Sequence, residues 1–103
     1  MKQLIALGTL LFTFNAAAGC PSAVPARTPE IPNGAAASEQ SMFDAMAAVR
    51  SYVQTIEAYL DCRDFALSDR RYDELVDKAS DAAGAYNREL VRFQQREEAL
   101  AQH

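Results

Sequence analysis

Two stretches of helical periodicity follow one another along the chain. In the first, apolar residues recur at spacings of four, three, four, three and four, the heptad pattern typical of coiled coils. Ser38 is a suitable N-cap, and Glu39 falls in the first turn, where the helix dipole favours an acid. The pattern predicts a helix over about 38–64. Its apolar seam comprises Met42, Met46, Val49, Val53, Ile56 and Leu60, flanked by Phe43, Tyr52 and Tyr59.

The second periodic stretch predicts a helix over about 69–101. Ser68 or Asp69 can cap its start, and Arg92 and Arg96 lie towards its end, where the dipole favours basic side chains. Because the connection between the two helices is short, they should fold back as an antiparallel two-helix hairpin, which makes the fold all-α. The second seam comprises Tyr72, Val76, Ala79, Ala83, Tyr86, Leu90 and Phe93, with Leu100 continuing it.

A proline-rich segment, residues 19–37, precedes the helices and holds all four prolines of the chain. Proline fixes φ and disfavours helix in the residue before it, so we expect an extended segment that ends in a turn at Asn33-Gly34. In the second helix, small residues at 79, 82, 83, 84 and 85 would let another element approach closely. The alternative interpretation of the segment is a disordered linker leading away from a membrane anchor.

The first 18 residues have the layout of a secretory signal peptide. A positively charged start, Met1-Lys2-Gln3, is followed by an apolar run over 4–14 and small residues at 16–19. The apolar run is much shorter than the roughly 20 residues needed to cross a bilayer. The sequence therefore predicts a signal peptide over 1–18 and a periplasmic or secreted mature chain.

Cys20 has two possible fates. Ala17-Ala18-Gly19-Cys20 is a tolerable lipobox, in which Cys20 would be acylated and anchor a lipoprotein to the membrane. The only other cysteine is Cys62, about 36 Å of helix beyond Ser38. The segment from Cys20 to Ser38 spans at most about 56 Å as polyproline II, so a chain turning at 33–34 can bring the cysteines together. We favour a Cys20–Cys62 disulfide, which is usual for two cysteines in an exported chain.

Charge narrows the classes of partner. Without Lys2 of the leader, nine of the ten basic residues remain against 14 acidic ones. Nucleic-acid binding needs clustered basic residues, so this balance predicts no nucleic-acid partner. It also argues against anionic lipid surfaces as targets, because these attract basic segments. A mature chain of this size forms one domain.

The sequence offers little that could carry chemistry. Its only histidine is His103, the last residue, and no Cys/His cluster has metal-ligand spacing. We therefore predict no catalytic, cofactor or metal site, and no enzyme. Four aspartates at spacings of four could form an acidic strip on one face of the second helix, acting as a weak cation site or docking strip, although a solvated surface is the simpler interpretation. They are Asp69, Asp73, Asp77 and Asp81.

A two-helix hairpin buries only one side of each helix, which leaves apolar surface for a partner. Leu75 and Val91 flank the seam of the second helix, and Arg88 and Arg92 form a short basic ridge beside it. We predict these four residues as a possible interaction surface for a second copy or for another envelope protein. The expected function is thus a structural or protein-interaction module of the cell envelope, with a lipid-anchored lipoprotein as the alternative.

Several short motifs give the chain a family resemblance. Cys20-Pro21, "IPNG" at 31–34, "VRSYV" at 49–53, "YLDC" at 59–62 and "YNRELVRF" at 86–93 stand in this order. In this it resembles a group of small, uncharacterised exported proteins of proteobacteria with a proline-rich N-terminal strap, two cysteines and two helices. The resemblance implies the same architecture and paired cysteines, and it supplies no catalytic residues. The group has Phe at the first position of the last motif, where Tyr here keeps a core role.

Overall fold

The computed structural model describes residues 20–63 and 66–102. Within them the chain forms two helices, α1 (Glu39–Arg63) and α2 (Asp69–Ala101), and no strand. The helices pack against each other as an antiparallel hairpin, which confirms the predicted fold class. The predicted bounds differ from the observed ones by one residue at each end of α1 and agree for α2. The predicted signal peptide, 1–18, lies outside the described residues.

Serines cap the starts of both helices: Ser38 as predicted for α1, and Ser68 rather than Asp69 for α2. The Ser38 hydroxyl accepts a hydrogen bond from the backbone N–H of Ser41 at 3.0 Å, and the Ser68 hydroxyl accepts one from the N–H of Arg71 at 3.1 Å. Each cap satisfies one of the N–H groups that have no partner within the first turn of a helix. Neither helix has an apolar stretch long enough to cross a bilayer, within the part of the chain that the structure describes.

The N-terminal segment, residues 20–37, forms an extended strap that lies in one groove between the helices. Ile31 at its middle lines cavities with Ala45 and Ala48 of α1 on one side and with Ala82 and Ala85 of α2 on the other. The predicted run of small residues on α2 thus does admit another element, the strap itself. We call this groove, between these faces of α1 and α2, the strap groove.

A disulfide and a turn hold the two ends of the strap. Cys20 is bonded to Cys62 in the last turn of α1, with their Cα atoms 5.8 Å apart, which confirms the predicted pairing. At the other end, the N–H of Ala36 donates to the carbonyl of Asn33 and the N–H of Ala35 donates to the Asn33 side chain, both at 3.0 Å. This turn lies where Asn33-Gly34 predicted it, and from it the chain enters α1.

The core lies between the two helices and the strap, and it is rotated from the predicted seams. In α1, Ala45 and Tyr52 are buried, whereas the predicted Met46 and Val53 are only partly buried. The strap is the cause of this rotation, because the buried side of each helix has to face both the partner helix and the strap. The buried set is Ala37, Met42, Ala45, Val49, Tyr52, Ile56, Leu60, Leu75, Ala82, Tyr86 and Phe93.

Leu75 belongs to this core, so its predicted place on an exposed interaction surface is wrong. Its exposed fraction is 0%, and with Ile56 it is one of the two largest fully buried side chains. The predicted seam residues Tyr72 and Val76 are instead 38% and 42% exposed. The same rotation of α2 that buries Leu75 turns these two side chains outward.

Candidate interaction surface

The strap is fastened to α2 by polar contacts around its turn. The backbone N–H of Gly34 donates to the carboxylate of Glu89 at 2.9 Å. The guanidinium of Arg96 donates to the carbonyls of Ala35 and Ala37, at 3.2 and 2.6 Å, and lies 5.0 Å from the centre of the Phe93 ring. A guanidinium can reach two carbonyls at once because its N–H groups form a planar fork. The strap groove is therefore occupied and closed by specific contacts.

Gly34 is required at the turn for space. Its φ is not positive, but a Cβ built on it would overlap the backbone carbonyl of Glu89 and lie 3.0 Å from the backbone nitrogen of Phe93. The turn at Gly34 could be predicted from the sequence, but this close approach could not, nor could the roles of Glu89 and Arg96 in holding the strap. Periodicity could not find them, because the signal is a contact across more than 50 residues of sequence.

The opposite side of the hairpin has a second groove that no described segment covers. Its floor is apolar, and its edge carries the acidic side chains of Glu57 and Asp61 from α1. We call it the open groove. The floor is formed by Ile56 and Leu60 of α1 and by Tyr72, Val76 and Ala79 of α2.

Helical geometry places the open groove and the strap groove on different sides of the core. At about 100° per residue, Val76 and Tyr72 lie on one flank of Leu75, whereas Lys78 and Ala85, which line the strap groove, lie on the other flank. The predicted seams thus follow the flank on which the open groove lies. Apolar side chains that the sequence assigned to helix pairing remain partly accessible there.

The same flank of the hairpin is apolar beyond the open groove. Met46 and Val53 of α1 and Leu90 of α2 are only partly buried against the core. Phe43, in the second turn of α1, is 60% exposed. At about 100° per residue, Phe43, Met46 and Val53 lie on one flank of α1. This flank therefore offers a row of apolar side chains along the hairpin.

The predicted interaction surface had three other residues, Val91, Arg88 and Arg92. They lie on the surface of the protein, but they do not form one patch with the open groove. Val91 is 50% exposed and lies about 160° around α2 from Leu75, on the outer side of the hairpin. Arg88 lines the strap groove, and Arg92 pairs with Glu89 at 3.5 Å. The four predicted residues are thus distributed between the core, the outer side and the strap side.

The four aspartates of the predicted acidic strip do not lie on one face of α2. A step of four residues advances about 40° beyond a full helical turn, so the path from Asp69 to Asp81 rotates by about 120°. Asp69 consequently lies on the side of the open groove, whereas Asp81 lines the strap groove together with Lys78 and Arg88. No group of three side chains that could hold a metal ion occurs among the described residues.

The charges on the two helices are segregated by side. At about 100° per residue, seven of the eight basic side chains on α1 and α2 point towards the strap half of the hairpin, and Arg50 is the exception. Two of the seven, Lys78 and Arg88, line the strap groove, and Arg96 binds the strap. Acidic side chains predominate on the other half. They are Glu39, Glu57, Asp61, Asp69, Asp73, Glu97 and Glu98.

Comparisons with known proteins give no further guide to the site. No protein-family model, no curated protein and no solved structure matches the chain significantly. The open groove has to be interpreted from its own geometry and charge.

Proposed function

We propose that the protein is a small exported interaction module of the cell envelope, and that the open groove is the surface with which it binds a protein partner. The exposure of Tyr72 and Val76, side chains at helix-pairing positions of α2, is the single observation that carries this proposal. Apolar surface that persists beside a complete core marks an interaction site more often than scattered surface residues do. The function needs no catalytic group and no cofactor.

The strap supports this proposal because it leaves the open groove free. A chain that only had to bury its apolar residues could have placed the strap over the more exposed side. Instead the disulfide, Gly34 and Arg96 fix the strap in the other groove. The strap is thus fixed to the helices at both of its ends, and the open groove stays accessible on the other side.

Export is the second element of the proposal, and the disulfide supports it. Disulfides persist in oxidising compartments and are rare in the cytosol. The Cys20–Cys62 bond also engages the sulfur that a lipid anchor would need. A periplasmic or secreted chain without an anchor is thus favoured over the alternative, a lipoprotein acylated at Cys20.

Site-specific photo-crosslinking in the producing cells tests the interaction surface. A photo-reactive phenylalanine analogue replaces Val76 in the open groove, and in a matched strain it replaces Val91 on the outer side of the same helix. Both valines are partly exposed, at 42% and 50%, so the pair differs mainly in position. We expect a discrete adduct of higher mass with the probe at 76 and none at 91. Adducts at 91 alone, or at neither position, would contradict the proposal.

A further inference from the structure

The charged side chains at the edge of the open groove are all acidic. Glu57 and Asp61 stand one helical turn apart on α1 beside the apolar floor, and Asp69 begins α2 on the same flank. None of these three has a basic partner within ion-pair distance in the described chain. Acidic side chains therefore border the apolar floor without an ion-pair partner from this chain.

The basic side chains that could neutralise this edge lie elsewhere. Arg70 and Arg71 both pair with Glu74, and Arg92 pairs with Glu89. Arg50, the basic residue on the open half, lies about two turns of α1 before Glu57. The end of the hairpin that carries the open groove thus has an excess of negative charge on this side.

A second copy of the chain is a poor occupant of this groove for electrostatic reasons. A two-fold interface places the same surface on both partners, so a second copy could meet the acidic edge only with side chains of this same flank, on which Arg50 is the one basic residue of the two helices. Like charges facing each other across an interface cost free energy and suppress the wrong partner. The charge pattern favours a different protein.

We infer that the occupant of the open groove is a cationic amphipathic helix of another protein, whose apolar side packs on Val76 and Tyr72 and whose lysine or arginine side chains meet Glu57 and Asp61. The inference rests on the proposed function and names the class of partner. Amphipathic helices that lie in apolar grooves are a common mode of peptide recognition. The groove between α1 and α2 provides the apolar floor, and its acidic edge provides the complementary charge.

A pair of synthetic peptides probes the inference directly. Each is about 18 residues long, or about 27 Å as a helix, with leucines on one face. The remaining positions are lysine in the first peptide and glutamate in the second. Titration calorimetry measures the binding of each peptide to the oxidised mature protein. We expect saturable binding of the lysine peptide only, weakened by added salt because salt screens the exposed charges.

Four variants locate the binding. Val76→Ser should weaken binding of the lysine peptide about ten-fold, and Glu57→Gln combined with Asp61→Asn about five-fold. The matched controls are Val91→Ser and Asp77→Asn combined with Asp81→Asn, which remove a valine and two acids from other sides of α2. These controls should change the affinity by less than about two-fold. Circular dichroism confirms that every variant is folded.

Several results would overturn the inference. The glutamate peptide could bind as well as the lysine peptide, the protein could form a dimer that Val76→Ser dissociates, or phospholipid vesicles could bind through the groove. Each of these would reject a cationic helix as the partner and keep the open groove as a binding surface. Binding of the lysine peptide that both sets of variants weaken equally, or no binding at all, would also reject it. Crosslinking at 76 then decides separately whether the proposed function survives.

Discussion

Gly34 donates its backbone N–H to the carboxylate of Glu89 at 2.9 Å, across 55 positions of the sequence. The contact brings the turn of the strap onto the backbone of α2 at a point where a Cβ would have no space. It therefore fixes which of the two grooves the strap fills. The other groove stays open as a consequence.

Gly34→Ala should destabilise the protein. The added methyl group would meet the Glu89 carbonyl, so the turn would have to move away from α2. Overpacking of this kind costs about 1–3 kcal/mol of unfolding free energy. Urea denaturation followed by helical circular dichroism measures the loss. Unchanged stability would mean that the strap does not pack closely at this point.

Gly84→Ala should have the opposite effect and serves as a matched control. Gly84 lies inside α2, and a Cβ on it would meet only the Arg88 side chain, at an ordinary contact distance of 3.7 Å. Replacing a helical glycine by alanine stabilises by about 1 kcal/mol where the space is free. The midpoint of urea unfolding should rise. A lower midpoint would show that this side of α2 is more crowded than the geometry indicates.

Arg96→Lys should weaken the anchoring of the strap. A lysine ammonium cannot reproduce the planar fork that reaches the carbonyls of Ala35 and Ala37. We expect a loss of about 1 kcal/mol of unfolding free energy. Arg92→Lys is the control, because Arg92 is largely exposed and makes only a surface pair with Glu89. An equal loss of unfolding free energy in the two variants would show that Arg96 does not anchor the strap.

Cys62→Ser should lower stability without abolishing helicity, since the helix core does not contain either cysteine. The bond closes a sequence separation of 42 residues, for which chain entropy gives about 4 kcal/mol, and measured losses are typically about 2–4 kcal/mol. Thermal unfolding under oxidising conditions measures the change. Cys20→Ser, and the variant lacking both cysteines, should melt with Cys62→Ser. Different melting temperatures among the three would indicate an additional role for one sulfur.

The local elements of the fold could be predicted from the sequence because they depend on neighbouring residues. Ser38 and Ser68 could be predicted as N-caps because each stands just before a periodic stretch. The turn at Asn33-Gly34 could be predicted because these two residue types favour turns. A comparison of lengths showed that Cys20 could reach Cys62, and the usual pairing of two cysteines in an exported chain favoured the disulfide over a lipid anchor. These features need no knowledge of how the helices and the strap pack.

The orientation of each helix could not be predicted, because it depends on the strap. Heptad spacing identified Tyr72 and Val76 as pairing residues, but the strap adds a third packing partner and rotates the buried side towards Leu75 and Ala82. The open groove is a result of that rotation. For the same reason the predicted interaction surface combined Leu75, a core residue, with Val91 on the outer side.

The bonded strap and the unanchored, exported chain both require that Cys20 forms a disulfide and carries no lipid. The most direct test is the intact mass of the protein isolated from its producing cells, measured with and without reductant. We predict a chain that begins at Gly19 or Cys20 and gains the mass of two hydrogen atoms on reduction, as expected for one intramolecular disulfide. A diacylglycerol mass on Cys20, with Cys62 as a free thiol, would contradict it.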